Sequence, residues 1–405
     1  MNGSIQLFYK KIIGRYNEVK FIIPDYIKFL FTAKIVNDKK TIVFVGTILH
    51  GRVARIAKWL SRITDHELIL ICGEVGFSKK FLNSSFSKVY TYRNEWHLKS
   101  FLKRLDGKSV IFHSFGPPFQ AANVVVEFVQ FGKVLFDFQD LNITNYGQKP
   151  PFSYMKDDIV LEKNVLNKVD GLVCHSLELQ SAKKYYGEIT AKKILFPNYA
   201  DNDHFYKYKK RSIDFNNLHL VYVGGVMSAY RNSDHYGIMQ IHWLVHKLNE
   251  QKIHLHVYPS PSQLKEHIID FIEFDKKLDY FHLHESVSQS DLSEELGQYD
   301  FGILPFFNRS NKRLIDKQYY STTLKMFNYF EATLPIITTE DVVFQNFIGR
   351  KYGGVIETQW EEFDNLKAKL SSIDYEYLVT EIERNRETLS LKNKIVELVD
   401  FYHQI

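Results

Sequence analysis

The chain has 405 residues, 45% hydrophobic and 24% charged, which is enough for two domains with separate cores and too apolar for disorder. Its net charge of +5 is small for that length and comes with no nucleic-acid-binding motif, so nucleic acid is not an expected partner. No apolar run approaches the roughly 20 residues that span a bilayer and no signal-peptide pattern opens the chain, so a cytoplasmic protein is expected.

The first 35 residues interleave basic groups with Phe8, Tyr9, Ile12, Ile13, Tyr16, Phe21, Ile22, Tyr26, Phe29, Leu30 and Phe31. Such a mixture suits a membrane interface or helices packed on a domain, and the pattern alone leaves both open. The strand Lys39–Gly46, the helix Arg52–Ile63 and the strand Glu67–Cys72 make one β-α-β unit. Apolar runs at Ser109–Gly116, Lys133–Leu141 and Asp170–Ser176 follow, with helical sequence between, and Lys192–Phe205 closes this half. Continuous apolar strands alternating with helices imply a parallel sheet covered on both faces, an α/β architecture. Cys72 and Cys174 lie within such runs and read as buried thiols, as a reducing compartment allows, with no disulfide or metal pair.

Residues 206–216 are lysine-rich without apolar period and read as a linker between domains at 1–205 and 217–381. The second half has strands at Leu218–Val226, His254–Ser260, Phe281–Ser286, Asp300–Phe306 and Leu334–Thr339, and 382–405 has helical spacing. His254, His256, His282 and His284 pair at strand spacing with no carboxylate or cysteine set beside them, so no metal site is expected, and no cofactor motif stands out.

Chemistry concentrates in Ser321–Ile337, STTLKMFNYFEATLPII. Ser321, Thr322 and Thr323 offer an N-cap, Lys325 lies in the first helical turn, and Pro335 ends the helix before an apolar strand. Unpaired backbone N–H groups, the helix dipole and a lysine together suit phosphate oxygens. Gly224 and Gly225, closing the strand LHLVYVGGV, would let backbone approach the same phosphates, and Pro305 ends the neighbouring strand. Two strands delivering loops to one sheet edge is how open α/β sheets build ligand crevices.

These residues resemble retaining glycosyltransferases of the GT-B fold, particularly the family-four type that uses nucleotide sugars. The resemblance rests on DGLVCHSLEL, LFPNYADNDHF, VYVGGVMSAYRN and LKMFNYFEATLPII, and it covers nearly the whole chain. It implies two Rossmann-like domains facing a central cleft, with a terminal helix at 382–405 crossing back onto the first. It also implies transfer of a sugar from a nucleotide diphosphate to a glycan or lipid-linked acceptor in surface-glycan assembly, at the inner face of the plasma membrane. No metal is implied, and the nucleotide sugar is a substrate.

The implied donor residues are Gly224, Gly225, Arg231, Pro305, Ser321, Thr322, Thr323, Lys325, Asn328 and Glu331. Arg231 and Lys325 would stabilise the departing diphosphate. The resembled pattern has a glutamate for the ribose where this chain has Asn328, so either Asn328 or Glu331, one turn later, takes that part. Ser321 stands near the partner glutamate's place. His113, before Gly116-Pro117-Pro118, is expected to face the cleft and contact the donor sugar, and Asp140 or Asp137 to hold an acceptor hydroxyl. Gly46, His50, Gly51 and Arg52 form the first strand-to-helix loop, where an acceptor would approach. The missing glutamates keep a non-catalytic partner subunit open as an alternative, and an epimerase of the same fold is a third reading.

Overall fold

The computed structural model describes residues 21–32, 40–208, 210, 212–232, 236–261, 263–304 and 315–405. In chain order the first domain contains β1 (Thr41–Ile48), α1 (Gly51–Ile63), β2 (Glu67–Glu74), β3 (Lys88–Thr91), α2 (Glu95–Leu105), β4 (Val110–Gly116), α3 (Gln120–Phe128), β5 (Lys133–Phe138), α4 (Tyr154–Lys168), β6 (Gly171–Cys174), α5 (Glu178–Tyr186) and β7 (Lys192–Leu195). A further helix covers 21–31. The second domain contains β8 (His219–Val223), β9 (His254–Tyr258), β10 (Phe281–Leu283), β11 (Phe301–Leu304), α6 (Ile315–Tyr320), α7 (Leu324–Glu331), β12 (Ile336–Thr339), α8 (Val343–Tyr352), β13 (Val355–Thr358) and α9 (Tyr375–Thr388), followed by α10 (Leu391–Gln404).

Among the described residues the strands form two sheets ordered β3-β2-β1-β4-β5-β6-β7 and β10-β9-β8-β11-β12-β13, with every neighbouring pair parallel. Each order reverses beside its first strand, between β1 and β4 and between β8 and β11, so each sheet opens a crevice there at its C-terminal edge. The two-domain α/β expectation is therefore met. The strands carry near-continuous apolar sequence because helices cover both faces: Val43, Phe112 and Phe136 pack toward one layer, while Ile42, Phe44 and Leu135 pack toward the other.

That second layer is completed from the far end of the chain. Leu391, Ile395, Leu398 and Phe401 of α10 join Phe44, Leu60, Leu135 and Val173 in one apolar cluster. The preceding α9 stays with the second domain, where Tyr375 and Val379 pack with Phe301 and Ile303. The crossing thus begins after Thr388, later than the sequence boundary at Ile382 suggests.

The strand histidines make a ladder across β8, β9 and β10. His219 Nδ1 meets His256 Nε2 at 2.9 Å, His256 Nδ1 meets His284 Nε2 at 2.9 Å, and His254 Nδ1 meets His282 Nε2 at 2.8 Å. Their ring nitrogens bond one another, and among the described residues no group of His, Cys, Asp or Glu is arranged to hold a metal ion.

Leu398 is fully buried between the sheet and α1. Leu398→Ala should cost about 2–5 kcal/mol, the usual range for emptying such a site. Urea unfolding followed by tryptophan fluorescence checks this, and a change below about 1 kcal/mol would mean that α10 does not contribute to the first core.

Candidate active site

The turn into α7 is built by its own side chains. Thr323 is the N-cap, its Oγ1 accepting from the Lys325 N–H at 3.4 Å, and Ser321 and Thr322 are buried beside it. The Thr322 hydroxyl is buried without a hydrogen-bond partner. Lys325 rises from the first turn and donates to the Tyr222 hydroxyl at 2.8 Å, with its ammonium 4.5 Å from that ring's centre. Gly224 follows β8 at φ +118, a backbone conformation that favours glycine, and it lies against the Lys325 side chain, whose Cε would stand 2.4 Å from a Cβ there.

Around Lys325 two cavities adjoin. The larger, about 340 Å³, lies between the domains. Its first-domain wall carries His50 and Gly51 at the start of α1, Gln139 and Asp140 after β5, His175 after β6 and Asn198 after β7; its second-domain wall carries Tyr222, Lys317 and Ser321 through Lys325. The smaller, about 240 Å³, lies within the second domain between Gly224, Tyr258, Pro259, Val287, Gln289, Lys325 and Asn328. Lys325 borders both, so one molecule reaching from one cavity to the other would pass its amine.

Several expected residues take other parts. His113 is fully buried, its ring stacked on Phe44 and its Nδ1 2.7 Å from the Tyr402 hydroxyl of α10. Because β4 runs on to Gly116, His113 is a mid-strand residue under α10 and does not face the cleft. Gly46 is a packing position: a Cβ would fall 2.1 Å from the Phe115 ring. Arg52 borders the cleft, but its guanidinium is committed inward, to Asp137 at 2.9 Å, the Phe196 carbonyl at 2.7 Å and Asn198 at 3.2 Å. Burial alone would raise the Asp137 carboxyl, but Arg52 and His113 hold it below its ordinary value. Arg231 lines neither cavity, and its guanidinium lies 5.5 Å from the Tyr236 ring centre. Pro305 lies outside the described residues.

The two candidates for the ribose separate cleanly. Glu331 is buried in the domain junction, accepting from Arg55 of α1 at 2.7 Å and from the Asp201 N–H at 2.8 Å. Burial raises its carboxyl above the usual range even with Arg55 beside it. Asn328 instead lines the smaller cavity, its Oδ1 accepting from Arg55 at 3.0 Å and from Gln289 at 3.4 Å.

Sequence reasoning missed Lys317 and His175. Lys317 reaches from α6 across the junction to Asp140 and to Glu178, the latter at 3.1 Å. Burial opposes its charge, yet the two carboxylates raise the ammonium above its ordinary value. Nothing local could reveal a partner so distant in sequence. His175 and Asn198 do sit in the noted runs DGLVCHS and LFPN, where each is the polar residue that ends the apolar run, and that position was the available signal.

The sequence profile of the glucosyltransferase 3-like C-terminal domain matches residues 244–393. Comparison with curated protein sequences gives no match. Among solved structures, sucrose-phosphate synthase from Thermosynechococcus elongatus superposes at TM-score 0.63 and 11% identity, over 90% of this chain and 98% of that one. Anabaena HepE, crystallised with UDP and glucose, gives 0.63 at 10% identity over 90% and 99%. A glycosyltransferase of Rickettsia africae gives 0.61 at 14% identity over 91% and 99%. The chain has the GT-B fold that glycosyltransferases use.

His175 supplies a pH test of the cleft. Its Nδ1 lies 2.9 Å from the Phe138 carbonyl and therefore donates, which leaves Nε2 as an acceptor. Burial, reinforced by the Arg52 charge, lowers its pKa to about 4. With the folded value below the ordinary 6.5, its contribution to stability is fully present above pH 6.5 and is lost as pH falls toward 4. Between pH ~7.5 and ~5 the parent should lose about 2 kcal/mol more stability than His175→Gln in urea unfolding. Equal losses would show that His175 protonates as readily in the folded state as in the unfolded.

Proposed function

We propose that the protein is a glycosyltransferase moving a sugar, by hexosyl or related transfer, from a nucleotide diphosphate sugar to a glycan or lipid-linked acceptor. The observation that carries this is the meeting of two cavities at Lys325, where a capped helix N-terminus, an ammonium and the Gly224 backbone beside it converge. The nucleoside occupies the smaller cavity with Asn328, not Glu331, at the ribose. The diphosphate lies along Gly224 and the start of α7, and the sugar enters the cleft beside Asp140, His175 and His50.

In transfer, an acceptor hydroxyl forms the new bond to the anomeric carbon while the bond from that carbon to the phosphate oxygen breaks. Charge grows on the diphosphate, and Lys325 with the N–H groups of α7 stabilises it. Among the described residues lining the cleft Asp140 is the single carboxylate, and Lys317 holds it. That pairing leaves the departing diphosphate as the proton acceptor and supports attack from the leaving-group side, with retention of configuration. It also disfavours an epimerase, which needs acidic groups around the sugar. The matched glucosyltransferase profile supports the transferase reading. We place the reaction in surface polysaccharide or glycan biosynthesis, in the cytoplasm at the inner face of the plasma membrane.

Thermal stabilisation across UDP, GDP, ADP, CMP and their sugars tests this. One nucleotide should stabilise the protein by about 2–3 kcal/mol at roughly a hundredfold excess over its Kd, and Lys325→Ala should weaken that binding about tenfold or more. No stabilisation by any of them would overturn the reading, and binding without turnover on any acceptor would assign a non-catalytic partner subunit.

A further inference from the structure

Among the described residues, the contacts of the helix at 21–31 fall on one side. Asp25 is buried beneath it and accepts from Arg93 at 2.8 Å and from Asn94 at 2.7 Å. The Phe29 ring lies 5.5 Å from Trp96 and 5.7 Å from Phe128, and Lys103 donates to the Phe29 carbonyl at 3.1 Å at the helix end. The opposite side presents Ile23, Ile27, Leu30 and Phe31, exposed by 69%, 49%, 51% and 83%. At spacings of four, seven and eight residues these four form one continuous stripe.

The charges around the stripe select what can cover it. Lys28 is exposed on the helix, and Arg93, Lys99 and Lys103 surround its footing. Arg93 is paired with Asp25 and Lys99 with Glu95, which leaves Lys28 and Lys103 as cations without an acidic partner among the described residues. The sequence preceding the helix is itself basic, with Lys10, Lys11, Arg15 and Lys20 against Glu18. A second copy of the chain laid on this face would bring the same positive charges against themselves. An apolar stripe edged by lysines suits acyl chains below and anionic headgroups beside it.

We propose that the face of the 21–31 helix bearing Ile23, Ile27, Leu30 and Phe31 is an anionic-lipid docking surface that seats the first domain on a bilayer. The inference names the lipid-facing element behind the membrane location proposed above but does not need the transferase chemistry.

The test is co-sedimentation of the full chain with phosphatidylcholine vesicles, with and without phosphatidylglycerol. The parent should pellet with the phosphatidylglycerol vesicles, less so as salt rises, and the double variant I27E/F31E should lose about tenfold or more of that partition. Both positions are exposed, so the variant should fold, which its retained nucleotide stabilisation verifies. Equal pelleting of parent and variant, or no pelleting of either, overturns the proposal. A concentration-dependent dimer that the variant abolishes also overturns it, by giving the face to a second copy. Should nucleotide stabilisation be absent from parent and variant alike, the transferase reading fails while the vesicle result stands.

Discussion

The Arg55 guanidinium in the domain junction is the contact on which the geometry of the cleft depends. It sits one turn into α1 and reaches Glu331 and Asn328, one to two turns into α7. Both helices begin at the cleft, where α1 supplies Gly51 and α7 supplies Thr323 and Lys325. A buried ion pair adds little net stability because desolvation offsets attraction, but leaving either partner alone costs about 3–5 kcal/mol. Its physical effect is to set register: the pair holds the two helix starts at a fixed offset, and so holds the first-domain wall of the cleft against the second-domain wall. Asn328 lines the smaller cavity and shares Arg55 with Glu331, so a ligand at Asn328 would act directly on the junction.

Two more contacts reinforce that register from different directions. Lys317 crosses to Asp140 and Glu178, and α10 crosses to the sheet beneath His113. Each brings second-domain or C-terminal sequence into the first domain's structure. The polar parts are short-range and directional, whereas the apolar face of α10 tolerates small shifts. Together they suit two domains that keep one alignment while the space between them remains open to a substrate.

How much of this was legible in sequence follows from where the information resides. Apolar runs such as TIVFVG and ELILIC announce their strands because both sheet faces are covered. The edge strands β3, KVYT, and β13, VIET, carry no such run and passed unseen, since an edge strand is short and half-solvated. The α7 turn was legible because a cap and a first-turn lysine act within a few residues of each other. His113 was misplaced although its run, Ser109–Gly116, ends where β4 ends, because the pattern does not tell which strand residues a helix from the far end of the chain will cover. Glu331 and Lys317 depend on partners in the other domain, and no local spacing encodes such a pairing.

The helix at 21–31 and the cleft bear on each other through the sheet. Arg93 and Asn94, which anchor that helix, follow the C-terminal end of β3. Because the sheet is wholly parallel, this is the same edge at which His50 follows β1 and Asp140 follows β5. The remaining anchors, Lys103 in the last turn of α2 and Phe128 at the end of α3, precede β4 and β5, so the helix runs from that edge of the sheet toward the opposite one.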